Sequence, residues 1–357
     1  MRVAIVSGVV VAHDAISAAV AKQASLLASM PGVERVTVFA QHIDRHLDVD
    51  GVVVGDPWQL VRLPSFAECD TVILHWGIFY TLFDVITLLS NRRVAVHFHN
   101  CTPVELVPET ERGGIVSSQT QIAHAISLGV RLWTFSDFNE QTLLSWGADR
   151  SRIDFVPFPI DVPLTRPRRR SAGESVGLLS VGRFVPAKGQ LTLLEAVAQL
   201  DVPLRQRLRV TLAGSRTFSD VEYVRQIESA IAARDLADQV RIVEDADDVE
   251  LWDLYRGHDV VISTSWHEGL CVPVIEGYAA GCIAIGTTAG NVPFLVTADD
   301  EVTPPGDSSA LVAAIERAVR RVDAGSTREQ IERRHSVARR FSSDSCRHAM
   351  SEALHVQ

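Results

Sequence analysis

Short runs of branched apolar residues alternate with segments of helical period along almost the whole chain. RVAIVS (2–7), RVTVFA (35–40), TVILHW (71–76), RVAVHF (93–98), RLWTFS (131–136) and IDFVP (153–157) read as strands. Helix-like segments such as 14–29 and 138–146 lie between them. The pattern breaks at PLTRPRRRSAGES (163–175), then restarts with VGLLSVG (176–182), LRVTLAG (208–214), VRIV (240–243), DVVIST (259–264) and CIAIG (282–286). Strands without a polar face are buried on both sides, so they belong to parallel sheets covered by helices. The expectation is α/β, with two facing doubly wound, Rossmann-like domains: residues 1–162 and 176–340, joined by an exposed linker at 163–175. Ligands of such sheets bind beyond the carboxyl ends of the strands, which makes the cleft between the domains the expected site.

A length of 357 residues favours two domains, and 46% apolar with 22% charged residues is enough to fill their cores. The formal charge of −10 argues against nucleic acid as a partner. Five cysteines, Cys69, Cys101, Cys271, Cys282 and Cys346, form no C-x-x-C pair. That fits a reducing cytoplasm and neither a disulfide framework nor a cysteine metal site. MRVAIVSGVVVAHDA reads as a first strand and loop: its apolar run is short and no small-residue cleavage site follows. No run is long and apolar enough to span a membrane. The expected location is the cytoplasm, with the inner face of the membrane as its outer limit.

HEGLCVPVIE (267–276) follows the strand-like DVVIST and carries two carboxylates, Glu268 and Glu276. Pro273 suits a first helical turn, so a helix is expected to start near Val272, with Glu276 in its first turn. A helix start offers free N–H groups to an anion, and carboxylates accept hydrogen bonds from hydroxyls. A nucleotide sugar satisfies both, against the plainer reading of one capping and one surface glutamate. VGRFVPAKGQ (181–190) also follows a strand and opens a helix, placing Arg183 and Lys188 where they could neutralise a diphosphate. Alone it is a weak signal. Paired with the E-x(7)-E window it is a strong one.

With both windows in place, the sequence resembles a GT-B glycosyltransferase of the large retaining family 4. GRFVPAKG is similar to the family's G-R-x(4)-K-G, and LYRGHDVVISTSWHEGLCVPVIEGYAAGCIAIGT to its strand, E-x(7)-E loop and helix. VTPPGDSSAL (302–311), WTFSDFNEQTL and RIDFVPFPID extend the similarity through most of the chain. FSSDS (341–345) resembles the opening of a last helix, 341–357, that crosses back to the first domain. The resemblance implies the GT-B fold and a bacterial-type transfer of a sugar, from a UDP- or GDP-sugar to a hydroxyl acceptor on a glycan, lipid or small molecule. No cofactor and no metal is required in that family. Carried over by position, Arg183 and Lys188 meet the donor diphosphate and Glu276 the ribose. Glu268 with the backbone of Gly269, Leu270 and Cys271 holds the transferred sugar, and His99, in HFHN, stands near the reacting carbon.

The match departs from the family in the first loop, where SGVVVAHDAIS has Gly8 alone in place of a Gly-Gly pair. His13 and Asp14 stand near that pair's place; Asp14 is expected to cap helix 14–29, with acceptor contact as the other reading. Phe158-Pro159 replaces an Asn-Gly turn, and Phe294 stands where a glutamate is frequent. His75, His97 and His99 fall at the carboxyl ends of neighbouring strands and could bind zinc, although the donor motifs already account for a histidine there. DADD (245–248) and ADD (298–300) read as a helix cap and a turn. Arg166, Arg168, Arg169 and Arg170 read as solvated linker in preference to a membrane-binding patch, and 115–130 as a core-facing helix. A GT-B sugar-nucleotide epimerase and a non-catalytic sugar-nucleotide-binding subunit are the alternatives to a transferase.

Overall fold

The structure, a computed structural model, describes residues 1–12, 14–44, 49–107, 109–160, 163–168, 170–171 and 173–355. His13, Arg169 and the expected domain boundary at Asp161 and Val162 lie outside the described residues. The chain forms two compact units, Met1–Pro159 with Phe341–Gln357, and Ile160–Arg340.

Among the described residues the first unit has seven parallel strands: β1 (Arg2–Val10), β2 (Arg35–Ile43), β3 (Gly51–Val53), β4 (Thr71–Trp76), β5 (Arg93–Phe98), β6 (Arg131–Thr134) and β7 (Ile153–Phe155). Their order is β3-β2-β1-β4-β5-β6-β7. Alternate residues feed opposite apolar layers, as the period of two requires. Ala4 and Val6 join one layer with Leu74 and Val96. Val3 and Ile5 join the other with Ile73, Ala95 and Trp133. The second layer is closed by Val20, Ala24 and Leu27 of the helix Ala15–Ala28. Cys346, Met350 and Leu354 of the last helix, Ser343–Leu354, fill the same layer. Arg93 Nη1 donates to the Leu354 carbonyl at 3.0 Å, so the final segment is part of the first unit.

The second unit contains β8 (Val176–Val181), β9 (Leu208–Gly214), β10 (Val240–Glu244), β11 (Val260–Ile262), β12 (Ile283–Thr287) and β13 (Glu301–Thr303), in the order β10-β9-β8-β11-β12-β13. Helices Gln190–Gln199, Val221–Ala233 and Ser308–Ala324 cover one face of the sheet through Leu193, Ile227 and Leu311.

Several local expectations need correction. β1 runs past Ser7 to Val10, because Val9 and Val10 still pair with His42 and Ile43. β11 stops at Ile262, short of the expected 264, where the hydroxyls that follow turn to the neighbouring loop: Thr264 to the Lys188 carbonyl and Ser265 to the Glu268 carboxylate. β3 and β13 were not anticipated: three residues each are too short for a periodic signal. Described residues of 163–175 are tied to the second unit, where a solvated linker was expected. Thr165 N–H donates to the Ala279 carbonyl at 2.7 Å, and His335 Nε2 meets the Thr165 carbonyl at 2.9 Å. Arg168 and Arg170 both converge on Asp259, whose side chain is 5% exposed, at 3.0 and 2.5 Å. Two arginines close one carboxylate, so they offer no free basic patch to a membrane. Arg166 alone of the described linker arginines is exposed. The smaller acidic clusters do behave as capping and turn groups. Asp247 caps the helix Asp248–Gly257 through the Glu250 N–H, and Asp300 accepts from Ala284 N–H, Thr297 and Tyr278. The helix Glu109–Ser127 buries Ile115, Ile122 and Ala125, as a core-facing helix should.

Removing one member of a buried charge cluster leaves the others without compensation. Asp259→Ala should therefore destabilise the chain by about 3 kcal/mol, read as a lower urea midpoint. A midpoint within error of the parent would show that water already screens Arg168 and Arg170.

Candidate functional site

The two sequence windows meet in the second unit. After β8 the chain passes Gly182 and Arg183, makes a single turn of 3-10 helix over Pro186–Lys188, and starts the helix Gln190–Gln199 at Gly189. After β11 it runs through Ser263–Cys271 into the helix Val272–Ala279, with Pro273 in the first turn as expected. Lys188 Nζ lies 2.6 Å from Glu268 Oε1, and the Ser265 hydroxyl donates to the same oxygen at 2.6 Å. The backbones are joined as well. Trp266 N–H donates to the Ala187 carbonyl at 2.8 Å, and the Thr264 hydroxyl to the Lys188 carbonyl at 2.9 Å.

This contact is close enough to dictate residue type. Gly189 has φ of +67°, and a Cβ there would stand 2.3 Å from the Thr264 carbonyl oxygen. The third strand end contributes too: a Cβ on Gly290, φ +57°, would stand 2.0 Å from the Glu268 carbonyl oxygen. Asn291 N–H donates to that carbonyl at 2.8 Å, and its side-chain amide to the Leu270 carbonyl at 3.2 Å. Three strand ends thus pin the Glu268 loop. Glu268 is 8% exposed, and its charge is held by a lysine and a hydroxyl.

The remaining residues of the window are placed as follows. Leu270 is buried. Cys271 takes a left-handed φ of +68° immediately before the helix. Burial, with the Glu268 charge second, pushes its thiol up to about 12, so it is neutral and unreactive at neutral pH. Burial lowers the pKa of His267; Glu268 opposes this and Lys188 adds to it. Arg183 is exposed beyond β8, and its carbonyl accepts from Gln190 Nε2 at 2.9 Å. Glu276 departs from expectation. It is the fifth residue of its helix, and no acidic residue stands in the first turn. It lies beside Tyr255, whose hydroxyl is held well above its ordinary pKa by burial first and by Glu276 second.

His99 belongs to the first unit. Its N–H donates to the Trp76 carbonyl at 2.7 Å, and its ring Nε2 meets His75 Nδ1 at 2.9 Å. The following Asn100 takes φ of +73° and its amide donates to Asn139 Oδ1 at 2.6 Å, which fixes the turn after β5. In this sheet the strand order reverses between β1 and β4. A cavity of about 380 Å³ opens there, lined by Gly8, Asp14, Gln41, His75, Gly77 and Tyr80 among others. Asp14 spends its carboxylate on capping, accepting from Ser17 N–H at 2.8 Å. Sequence reasoning missed Ser265, Thr264, Gly290, Asn291 and Gln23. Only Ser265 carried a local signal, the S-x-x-E spacing to Glu268 in which a side chain reaches three residues on.

Compared with known proteins, the fold is that of GT-B glycosyltransferases. Sucrose-phosphate synthase from Thermosynechococcus elongatus superposes with a TM-score of 0.77 at 18% identity, over 99% of this chain and 98% of that one. HepE of Anabaena, solved with UDP and glucose, gives 0.76 at 17% identity over 100% of both chains. Residues 162–335 match the family model Glycosyl transferases group 1, a span that takes in most of the second unit and every residue of the two windows. A D-inositol 3-phosphate glycosyltransferase of Catenulispora acidiphila is 30% identical over 186 residues, 48% of this chain and 44% of that relative. An MMP alpha-(1->4)-mannosyltransferase of Mycolicibacterium hassiacum is 28% identical over 57% of this chain and 48% of its own length. The chain thus spans about half the length of the curated relatives it matches. Among the described residues no helix is long and apolar enough to cross a membrane.

Lys188→Ala should leave the nearly buried Glu268 with the Ser265 hydroxyl as its remaining side-chain partner among the described residues, at a cost of about 1–3 kcal/mol. Adding Glu268→Gln should restore much of that loss, because the orphaned charge is gone. A double mutant no more stable than Lys188→Ala, measured by urea denaturation, would contradict this coupling.

Proposed function

We propose that the chain is a retaining glycosyltransferase of the family-4 type. It moves a hexose from a UDP- or GDP-sugar to a hydroxyl acceptor, with no resident metal. The observation that carries this reading is the Lys188–Glu268 pair: a cation and a hydrogen-bond acceptor held 2.6 Å apart at the ends of two parallel strands. A diphosphate sugar needs both, a positive charge for the phosphates and a carboxylate for the sugar hydroxyls. In this reading donor binding exchanges the pair, with Lys188 turning to the diphosphate and Glu268 to the sugar. Arg183 adds charge at the leaving group, Glu276 takes the ribose, and the backbone of Gly269, Leu270 and Cys271 lines the sugar. His99 keeps the role the resemblance gives it, beside the reacting carbon. The cavity at the β1–β4 reversal is the proposed acceptor site.

The chemistry follows from which groups carry charge. Both glutamates are donor-binding groups in this reading, so neither is a nucleophile. The departing diphosphate oxygen takes the acceptor's proton on the same face of the sugar. Arg183 and Lys188 stabilise the developing negative charge. Relatives named glycosyltransferases and a structural neighbour solved with UDP and glucose support a transferase over an epimerase or a binding subunit.

Arg183→Ala, which breaks no ion pair among the described residues, should lower turnover by ~10²–10³-fold, as for loss of one oxyanion donor. Near-normal turnover with the true donor and acceptor would sink the assignment. Calorimetry separates the glutamates. Glu276→Ala should weaken the free nucleoside diphosphate, whereas Glu268→Ala should weaken the nucleotide sugar more than the nucleotide, by ~1.5–3 kcal/mol. Equal weakening of both ligands by Glu268→Ala would refute the division of roles. Proton NMR of fresh product should show the donor's anomeric configuration retained; an inverted linkage would exclude the same-face route.

A further inference from the structure

His75, His97 and His99 stand within 4.8 Å of one another by their ring nitrogens, a grouping that could be read as a metal site. Their bonding points elsewhere. His75 Nε2 meets Gln23 Oε1 at 2.7 Å, and Gln23 Nε2 meets His97 Nδ1 at 3.2 Å. His75 Nδ1 meets His99 Nε2 at 2.9 Å. Two imidazoles on one tetrahedral zinc, each at ~2.0–2.1 Å, need their nitrogens ~3.3 Å apart, whereas a shared proton accounts for a 2.9 Å contact directly. We propose that Gln23, His75 and His97 are a positioning wire that locks His99 as the Nε2–H tautomer, leaving its Nδ1 as a hydrogen-bond acceptor for a substrate hydroxyl. This rests on His99 being the first-unit group of the transfer reaction.

The direction of the wire is set by the Gln23 amide. Its Oε1 faces His75 Nε2, and an amide oxygen only accepts, so His75 Nε2 carries a hydrogen. Its Nε2 faces His97 Nδ1, and an amide N–H only donates, so His97 Nδ1 is bare and the hydrogen of that neutral ring sits on Nε2. His75 Nδ1 is then an acceptor, and His99 Nε2 must donate. His97 Nε2 itself is buried with no hydrogen-bond partner among the described residues. His99 Nδ1 ends the chain, with no partner among the described residues, and His99 itself is only half-buried.

The wire works because its members stay neutral. Burial lowers the pKa of His97 to about 3, and lowers those of His75 and His99 well below the ordinary value, with the neighbouring imidazoles adding to the effect. Phe135 packs on both His97 and His99, with ring centroids at 5.7 and 5.3 Å, and holds the two rings in place. Gln23, 1% exposed on the helix Ala15–Ala28, is the only uncharged amide among the linked side chains, able to donate to one histidine and accept from another.

The test is long-range ¹H–¹⁵N correlation NMR of the full chain labelled in histidine, with signals assigned by single His→Ala variants. His75, His97 and His99 should each show a protonated Nε2 and a bare Nδ1 at neutral pH. Gln23→Glu offers only acceptors, so His97 should gain a proton on Nδ1 while His99 keeps its tautomer. Gln23→Leu should leave His99 a tautomer mixture and lower turnover more than it changes KM. A proton on His99 Nδ1 in the parent protein would overturn the wire and leave the transferase reading standing. So would stoichiometric uptake of added zinc that shifts all three histidines together. Full turnover of His99→Ala, with the tautomers as expected, would instead overturn the role assigned to His99 in transfer.

Discussion

The ion pair between Lys188 and Glu268 is the contact on which the arrangement of the second unit's strand ends depends. It lies where two loops, separated by about eighty residues of sequence, must approach closely enough to exchange backbone hydrogen bonds. A carboxylate as buried as Glu268 is costly without a partner. The two loops therefore close on each other around the pair. In the proposed function the same pair would bear on specificity: a ligand that engages Lys188 without offering donors to Glu268 would strand a buried charge.

Backbone geometry makes that approach possible. Gly189 and Gly290 occupy left-handed conformations in which any side chain would collide with carbonyl oxygens of the Glu268 region. Cys271 takes the same conformation without being glycine, a strain of roughly 1–2 kcal/mol. That strain sits at the start of the helix Val272–Ala279, where local strain and function often coincide. In the first unit a different device, a chain of neutral side chains, prepares one imidazole. Both clusters are built from groups that neighbouring elements of the same unit hold in place.

The fold was legible because strands buried on both faces leave a continuous apolar signature that few architectures share. The elements missed, β3 and β13, are three residues long and carry no period. That the two windows would meet was legible because charged residues at the ends of apolar strands have few structural reasons to be there. Pro273 placed its helix correctly, yet Glu276, its fifth residue, falls just past the first turn in which it was expected. The linker arginines show the limit of composition. A Pro-, Ser- and Arg-rich stretch reads as solvated, and nothing nearby in sequence announces that Asp259 will bind two of those arginines. Gln23 was invisible for the same reason: its partners lie 52 and 74 residues away.

Under the proposed function, donor binding exchanges the Lys188–Glu268 contact for two contacts to one ligand. A crystal structure with a nucleoside-diphosphate sugar measures this directly. It should show Lys188 Nζ within hydrogen-bond reach of a phosphate oxygen, Glu268 on a hydroxyl of the sugar, and the two side chains separated beyond 2.6 Å. A donor bound elsewhere, with the pair still closed, would contradict it.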